Sequence, residues 1–169
     1  MQKKILTIEN LAKIINKKKQ KGKKIALCHG VFDLLHVGHI KHFKEAKNLG
    51  DILVVTITPD VHVNKGPGRP VFNERLRLEA VAALEAVDYV GLNNTSTAIN
   101  IIKKIKPNIY CKGPDYKNYK DDISGEIRNE VKAVKKIGGK IVHTTSKTFS
   151  SSKLINTYDN FNSSEQKIL

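Results

Sequence analysis

The sequence predicts an α/β fold: a doubly wound, parallel, five-stranded sheet with an extra N-terminal helix. Three observations lead there. Short apolar runs rich in β-branched residues recur at 24–29, 51–58, 87–92, 108–112 and 140–144, and such runs suit strands buried on both faces. Segments with apolar residues at helical spacing lie between them, as parallel strands require. No internal repeat or linker divides the chain, and 169 residues suffice for one full core.

Taken in order, Thr7 caps a helix over 8–21, with Ile8, Leu11, Ile14 and Ile15 on one face and lysines over most of the other. This helix can pack on the domain or on a partner subunit. The first strand then runs into Gly30-Val31-Phe32-Asp33-Leu34-Leu35-His36-Val37-Gly38-His39, and a helix over 37–49 ends at Gly50. After the second strand comes a polar loop, 59–70, containing Lys65 and Arg69. Loops at the carboxyl ends of parallel strands are where such sheets bind ligands, so both are candidates for anion contact, with plain surface charge as the alternative.

Asn73 caps the next helix, over 74–86, with Leu76, Val81 and Leu84 at core spacing. Arg75 lies in its first turn, where a cation opposes the helix dipole, and so is expected to serve another purpose. A helix over 97–105 links the third and fourth strands, and Lys112-Gly113-Pro114-Asp115-Tyr116-Lys117 follows the fourth. A helix over 123–137 is stopped by Gly138-Gly139 before the fifth strand. Ser150, Ser151 and Ser152 then open a short helix, either as an ordinary N-cap or as a second phosphate cradle. The expected organisation is an appended helix at 1–22, one domain at 23–157 and a polar tail at 158–169.

The composition narrows the function classes. Thirty Lys and Arg against 16 Asp and Glu give a net charge of +14, and residues 17–24 form the one dense basic run. A nucleic-acid-binding module is one reading of that charge, but no RNP, zinc-finger or helix-turn-helix pattern accompanies it. A solvated basic surface that attracts small anionic substrates fits better, with no nucleic-acid partner. Cys28 and Cys111 fall inside apolar strands and read as buried free thiols of a reducing compartment. The N-terminus is polar and no apolar run approaches about 18 residues, which predicts a cytoplasmic protein without a membrane partner.

The chemistry concentrates at the first strand. A strand, a glycine turn and a helix whose first turn carries two histidines make a phosphate site, because helix N-termini present unpaired N–H groups and partial positive charge. His36 and His39 are three apart and share a helical face, and Gly38 lets a phosphate approach the backbone. A zinc site is the competing reading of His29, His36, His39 and His42, but no cysteine pair stands nearby at ligand spacing, so no protein metal site is expected.

The stretch Gly30 to His39 resembles the signature of the HxGH nucleotidyltransferases, the cytidylyltransferase-like superfamily with a Rossmann-like fold. The likeness extends over about 23–156. Lys65-Gly66-x-Gly68-Arg69-Pro70, the stretch from Ala82 to Val90, and Lys112-Gly113-x-Asp115-Tyr116-Lys117 resemble the heptose 1-phosphate adenylyltransferase domain, which is often fused to a PfkB-type sugar kinase. The resemblance implies transfer of a nucleoside monophosphate from ATP to a sugar phosphate, with pyrophosphate released and Mg²⁺ bound mainly through the nucleotide. CTP-dependent transfer to a polyol phosphate, alkyl phosphate or phosphonate is the alternative.

By position, His36, His39 and Lys65 would act on the phosphates. Gly30, Val31, Phe32, Asp33 and Gly38 would line the nucleotide site. Lys112, Gly113 and Asp115 would lie near base and ribose, and Ser150, Ser151 and Ser152 at the triphosphate. Asp33, Arg69, Arg75 and Tyr116 would meet the acceptor. A homodimer and a separate PfkB-type kinase are the implied partners. Two features depart from the pattern. Residues 144–148 lack the arginine that the alcohol-phosphate cytidylyltransferases carry there, and Pro114 replaces a glycine ahead of a long charged stretch, 118–134.

Overall fold

The computed structural model describes residues 4–114 and 126–145. Within them the order is β1 (Ile5–Leu6), α1 (Ile8–Gln20), β2 (Ile25–Gly30), α2 (Val37–Asn48), β3 (Ile52–Ile57), a 3₁₀ turn (Asp60–His62), α3 (Glu74–Ala82), β4 (Tyr89–Leu92), α4 (Ile99–Ile105), β5 (Ile109–Lys112), α5 (Ile127–Lys136) and β6 (Lys140–His143). The strands form one sheet in the order β1-β4-β3-β2-β5-β6, with every pairing parallel. The doubly wound α/β class is as expected, with one strand more: Ile5 and Leu6 pair with Val90 and Gly91 at the sheet edge. Two residues are too few to show a period in sequence.

Each sheet face carries its own helix layer. One core joins Ile8, Leu11 and Ile15 of α1 with Ile101, Ile102 and Ile105 of α4 and Ala133 and Val134 of α5. The other joins Phe43 and Ala46 of α2 with Val81 and Ala82 of α3. The N-terminal helix therefore packs on the domain, one of the two placements its pattern allowed. Its cap is the expected one, Thr7 accepting from the Asn10 N–H at 3.3 Å.

α3 departs from expectation twice. It ends at Ala82, a turn early, and Leu76 stands 45% exposed while Arg77 is 1% exposed. The apolar spacing misreads this helix because its inward side carries an arginine whose guanidinium is met by backbone oxygens and the Asp60 carboxylate. α5 is described from Ile127, so the expected start at 123 lies outside the described residues.

Candidate active site

Strand order reverses between β2 and β5, with α2 leaving on one face of the sheet and α5 on the other. Such a switch point opens a crevice at the carboxyl ends of the strands. The glycine turn after β2 forms its floor. A Cβ on Gly30 would sit 3.1 Å from the Phe32 ring. Phe32 holds φ at 48°, a left-handed conformation that costs a non-glycine residue energy and clusters at functional sites. Its ring meets His39 edge-on at 5.5 Å and Phe43 at 4.9 Å. Gly-x-Phe is thus a packing unit that seats His39.

His36 is the N-cap of α2, and its Nδ1 accepts from the buried Gly38 N–H at 3.1 Å. A ring nitrogen that accepts carries no proton, so the neutral ring's hydrogen is on Nε2. The His36 and His39 rings stack with centroids 3.9 Å apart. Burial, then the charges of His36, His42 and Lys65, hold the His39 pKa at about 3, against a backbone hydrogen bond with Leu34 that works the other way. Burial also lowers His36. Both are neutral at pH 7. His39 Nδ1 is buried and, among the described residues, has no hydrogen-bond partner. Such an orphan asks for an occupant. Lys65 is exposed, and partial desolvation followed by Arg69 depresses its ammonium, with Asp33 opposing. Its charge adds to the depression of His39.

Asp33 faces elsewhere. Its carboxylate accepts from Arg69 Nε at 2.7 Å, the Val71 N–H at 2.9 Å and the Phe72 N–H at 3.0 Å. Burial pushes its pKa up, but the Phe72 and Val71 amides and Arg69 outweigh that and hold the carboxyl below its usual range. Asp33 and Arg69, expected at the acceptor, here clamp the 69–72 segment; their side chains are 1% and 8% exposed. Arg75 stands apart, 84% exposed and paired with Glu79 on its own helix. The residue that sequence reasoning passed over is Arg77. Its guanidinium donates to Phe72 O, Val31 O, Thr58 O and Asp60, tying the glycine turn, the clamped loop and the end of β3 together. The only sequence signal was its position two residues after Arg75, on the opposite side of the helix.

At the end of β5, Lys112 is 7% exposed and its ammonium bonds Glu130 at 2.9 Å, which separates it from the histidine face. Among the described residues, a Cβ on Gly113 would meet nothing within 4 Å. Asp115, Tyr116, Ser150, Ser151 and Ser152 lie outside the described residues.

A parallel sheet whose switch-point crevice presents stacked imidazoles at a helix N-terminus is built to receive phosphate groups. The cytidylyltransferase-like family model matches residues 27–157, and the chain belongs to that family. Among curated relatives, the bifunctional protein HldE of Aliarcobacter butzleri is 41% identical over 145 residues, covering 85% of this chain and 30% of that one. HldE of Sulfurimonas denitrificans is 42% identical over 142 residues, covering 83% and 29%. The chain thus spans under a third of the length of these relatives. Among solved structures, a lipopolysaccharide core biosynthesis protein from Thermoplasma volcanium is similar at TM-score 0.61 and 32% identity, over 75% of this chain and all of that one. The pantoate-beta-alanine ligase of Francisella tularensis shares the fold at TM-score 0.60 and 20% identity, over 87% and 68%.

Proposed function

We propose that the chain transfers the AMP moiety of ATP to a sugar 1-phosphate, heptose 1-phosphate first, and releases pyrophosphate. The observation that carries this is the stacked His36–His39 pair at the start of α2, with the buried His39 Nδ1 unpartnered among the described residues. The resemblance to HldE and to a lipopolysaccharide core biosynthesis protein supports the sugar-phosphate acceptor. The absence of arginine from 144–148 favours ATP over CTP.

In this reading a phosphate oxygen of the acceptor attacks the α-phosphorus in line, the bond to the bridging oxygen of the β-phosphate breaks, and pyrophosphate leaves. His36 donates from Nε2 to a phosphate oxygen. His39 and Lys65 hold the charge that builds on the α-phosphate and the leaving group, and positioning does most of the rest. The clamp of Asp33 and Arg69 and the Arg77 knot keep the loop bearing Lys65 in place. Mg²⁺ seeks oxygen ligands, and the groups facing the crevice are imidazoles and an ammonium; among the described residues no three His, Cys, Asp or Glu side chains converge as a cage. The ion fits as a passenger on the triphosphate, where it would neutralise phosphate charge.

The enzyme works in the cytoplasm as a homodimer, and a PfkB-type sugar kinase supplies the acceptor's phosphate. No described helix is long and apolar enough to cross a membrane. Pyrophosphate release tests the reading, with ATP, CTP, GTP and UTP each offered against heptose 1-phosphate, glucose 1-phosphate and glycerol 3-phosphate in the presence of Mg²⁺. Turnover with ATP and a sugar 1-phosphate is expected. Turnover confined to CTP and glycerol 3-phosphate would overturn it.

A further inference from the structure

The nucleotidyltransferase signature contains His36 and His39, but α2 carries a third histidine on the same stripe. His42 follows His39 by three residues, one turn deeper. Its Nδ1 lies 2.8 Å from Thr144 Oγ1, at the end of β6. Thr144 is 2% exposed and fixed twice to Lys112 O, through its N–H at 2.9 Å and its hydroxyl at 3.4 Å. With the hydroxyl hydrogen directed at that carbonyl, Thr144 offers His42 an acceptor. In that arrangement the proton of the His42 ring sits on Nδ1 and Nε2 is left as a lone pair. His36 is held in the reverse state, its Nδ1 accepting from Gly38.

We infer that His42 is a third imidazole of the phosphate face, oriented by Thr144 so that Nε2 takes up a proton from solvent when a phosphate group binds and then donates to it. The inference rests on the phosphate-site reading above. The charged and titratable groups whose fields reach His42 are His39 and Glu45 on α2 and Lys112 on β5, whose ammonium is turned to Glu130. Glu45 is engaged by the Thr145 N–H at 2.8 Å and its hydroxyl at 3.3 Å. Burial first, and Lys112 in the same direction against Glu45, hold the His42 pKa down at about 4, so the free protein keeps the ring neutral at pH 7. A phosphate placed against His39 and His42 reverses that balance, because an adjacent anion favours the charged ring. The bound group is a phosphate monoester or the far end of a triphosphate, two sources of the same chemistry.

The test is titration calorimetry of α,β-methylene-ATP with Mg²⁺, and separately of glucose 1-phosphate. Each is run in two buffers of different ionisation enthalpy from pH 6 to pH 8, on the wild type and His42→Asn. Asparagine keeps an N–H for Thr144 but takes no proton. The wild type is expected to absorb protons on binding. In His42→Asn the uptake falls and the affinity gained between pH 8 and pH 6 shrinks by about tenfold. The ligand whose uptake falls names the phosphate that His42 meets. Unchanged uptake and pH slope in both arms overturn the inference, as does a ¹⁵N imidazole spectrum of the free protein with His42 protonated at Nε2. Should His42→Asn not fold, Thr144→Val serves: it removes the acceptor and is expected to mix the two His42 tautomers. If the wild type binds neither ligand, the phosphate site itself falls and this inference with it.

Discussion

Two groups of polar side chains meet the carboxyl edge of the sheet, one on each face, and they solve burial in opposite ways. On the α5 face Glu130 accepts from the Ala98 N–H, the Tyr110 hydroxyl and the Lys112 ammonium, each at 2.9 Å. His29 beside it is bracketed by Thr56 at 2.9 Å and Thr58 at 3.4 Å. On the α2 face His36 and His39 stack, and His39 keeps a buried nitrogen without a partner among the described residues. Titration does not separate the two: burial holds His29 at about 4 and His39 at about 3. Satisfaction does. A depressed histidine whose nitrogens both have partners is framework, and one that keeps a buried nitrogen unpartnered is a candidate binding group.

The largest effect that would break this contrast belongs to the framework. Glu130→Ala leaves the Lys112 ammonium buried without its carboxylate, and stability is expected to fall by about 3–5 kcal/mol. Urea denaturation measures it. A loss under about 1 kcal/mol would mean that the Glu130 network is incidental and that satisfaction marks nothing.

Next comes the binding face. His39→Ala is expected to lower kcat by about two orders of magnitude or more, the scale of one preorganised donor. Its urea midpoint should move far less than that of Glu130→Ala, because the lost ring leaves no hydrogen-bonded network behind. Steady-state pyrophosphate release reads the first quantity. A variant with most of its activity would remove His39 from the chemistry.

How much of this contrast the sequence carried depends on range. The strands and the Thr7 and Asn73 caps are local patterns, and both caps form as the residues dictate. The Gly30–His39 stretch is local too, so its histidines were legible from spacing. The clamp between Asp33 and Arg69 spans 36 positions and the knot between Arg77 and Val31 spans 46. Pairings at that distance leave no periodic trace, so the sequence offered Asp33 and Arg69 as ligand contacts without showing that they also pair with one another. The Lys112–Glu130 pair was hidden for the same reason.

Acidity sharpens the comparison with a smaller effect. His29 stays neutral in the fold down to about pH 4, whereas the unfolded chain protonates it near its ordinary value of 6.5. Above pH 6.5 neither state carries the proton, and the full stability is present. As pH falls from 6.5 towards 4, the unfolded state gains a proton that the fold refuses, and stability drops by at most about 3 kcal/mol from this residue. His29→Asn, which keeps a donor for Thr56, should flatten that limb in urea midpoints taken between pH 7.5 and pH 4.5. An unchanged limb would show that His29 does not govern it. His39 should contribute to the same limb only in the free protein, since bound phosphate favours its charged form.

The smallest effect comes from two arginines of one helix. Arg75 and Arg77 are two residues apart and so point to different sides of α3. Arg77 is spent on three carbonyls and Asp60, while Arg75, among the described residues, holds only an exposed pair with Glu79 at 3.1 Å. Exposed pairs of this spacing are worth about 0.3–0.5 kcal/mol. Arg75→Ala should therefore shift stability by no more than that, and kcat and KM for both substrates by less than about twofold. A rise of tenfold in the acceptor KM alone would bring Arg75 into the site and place the acceptor over α3, reached by a movement of the helix surface rather than by the buried face that Arg77 holds.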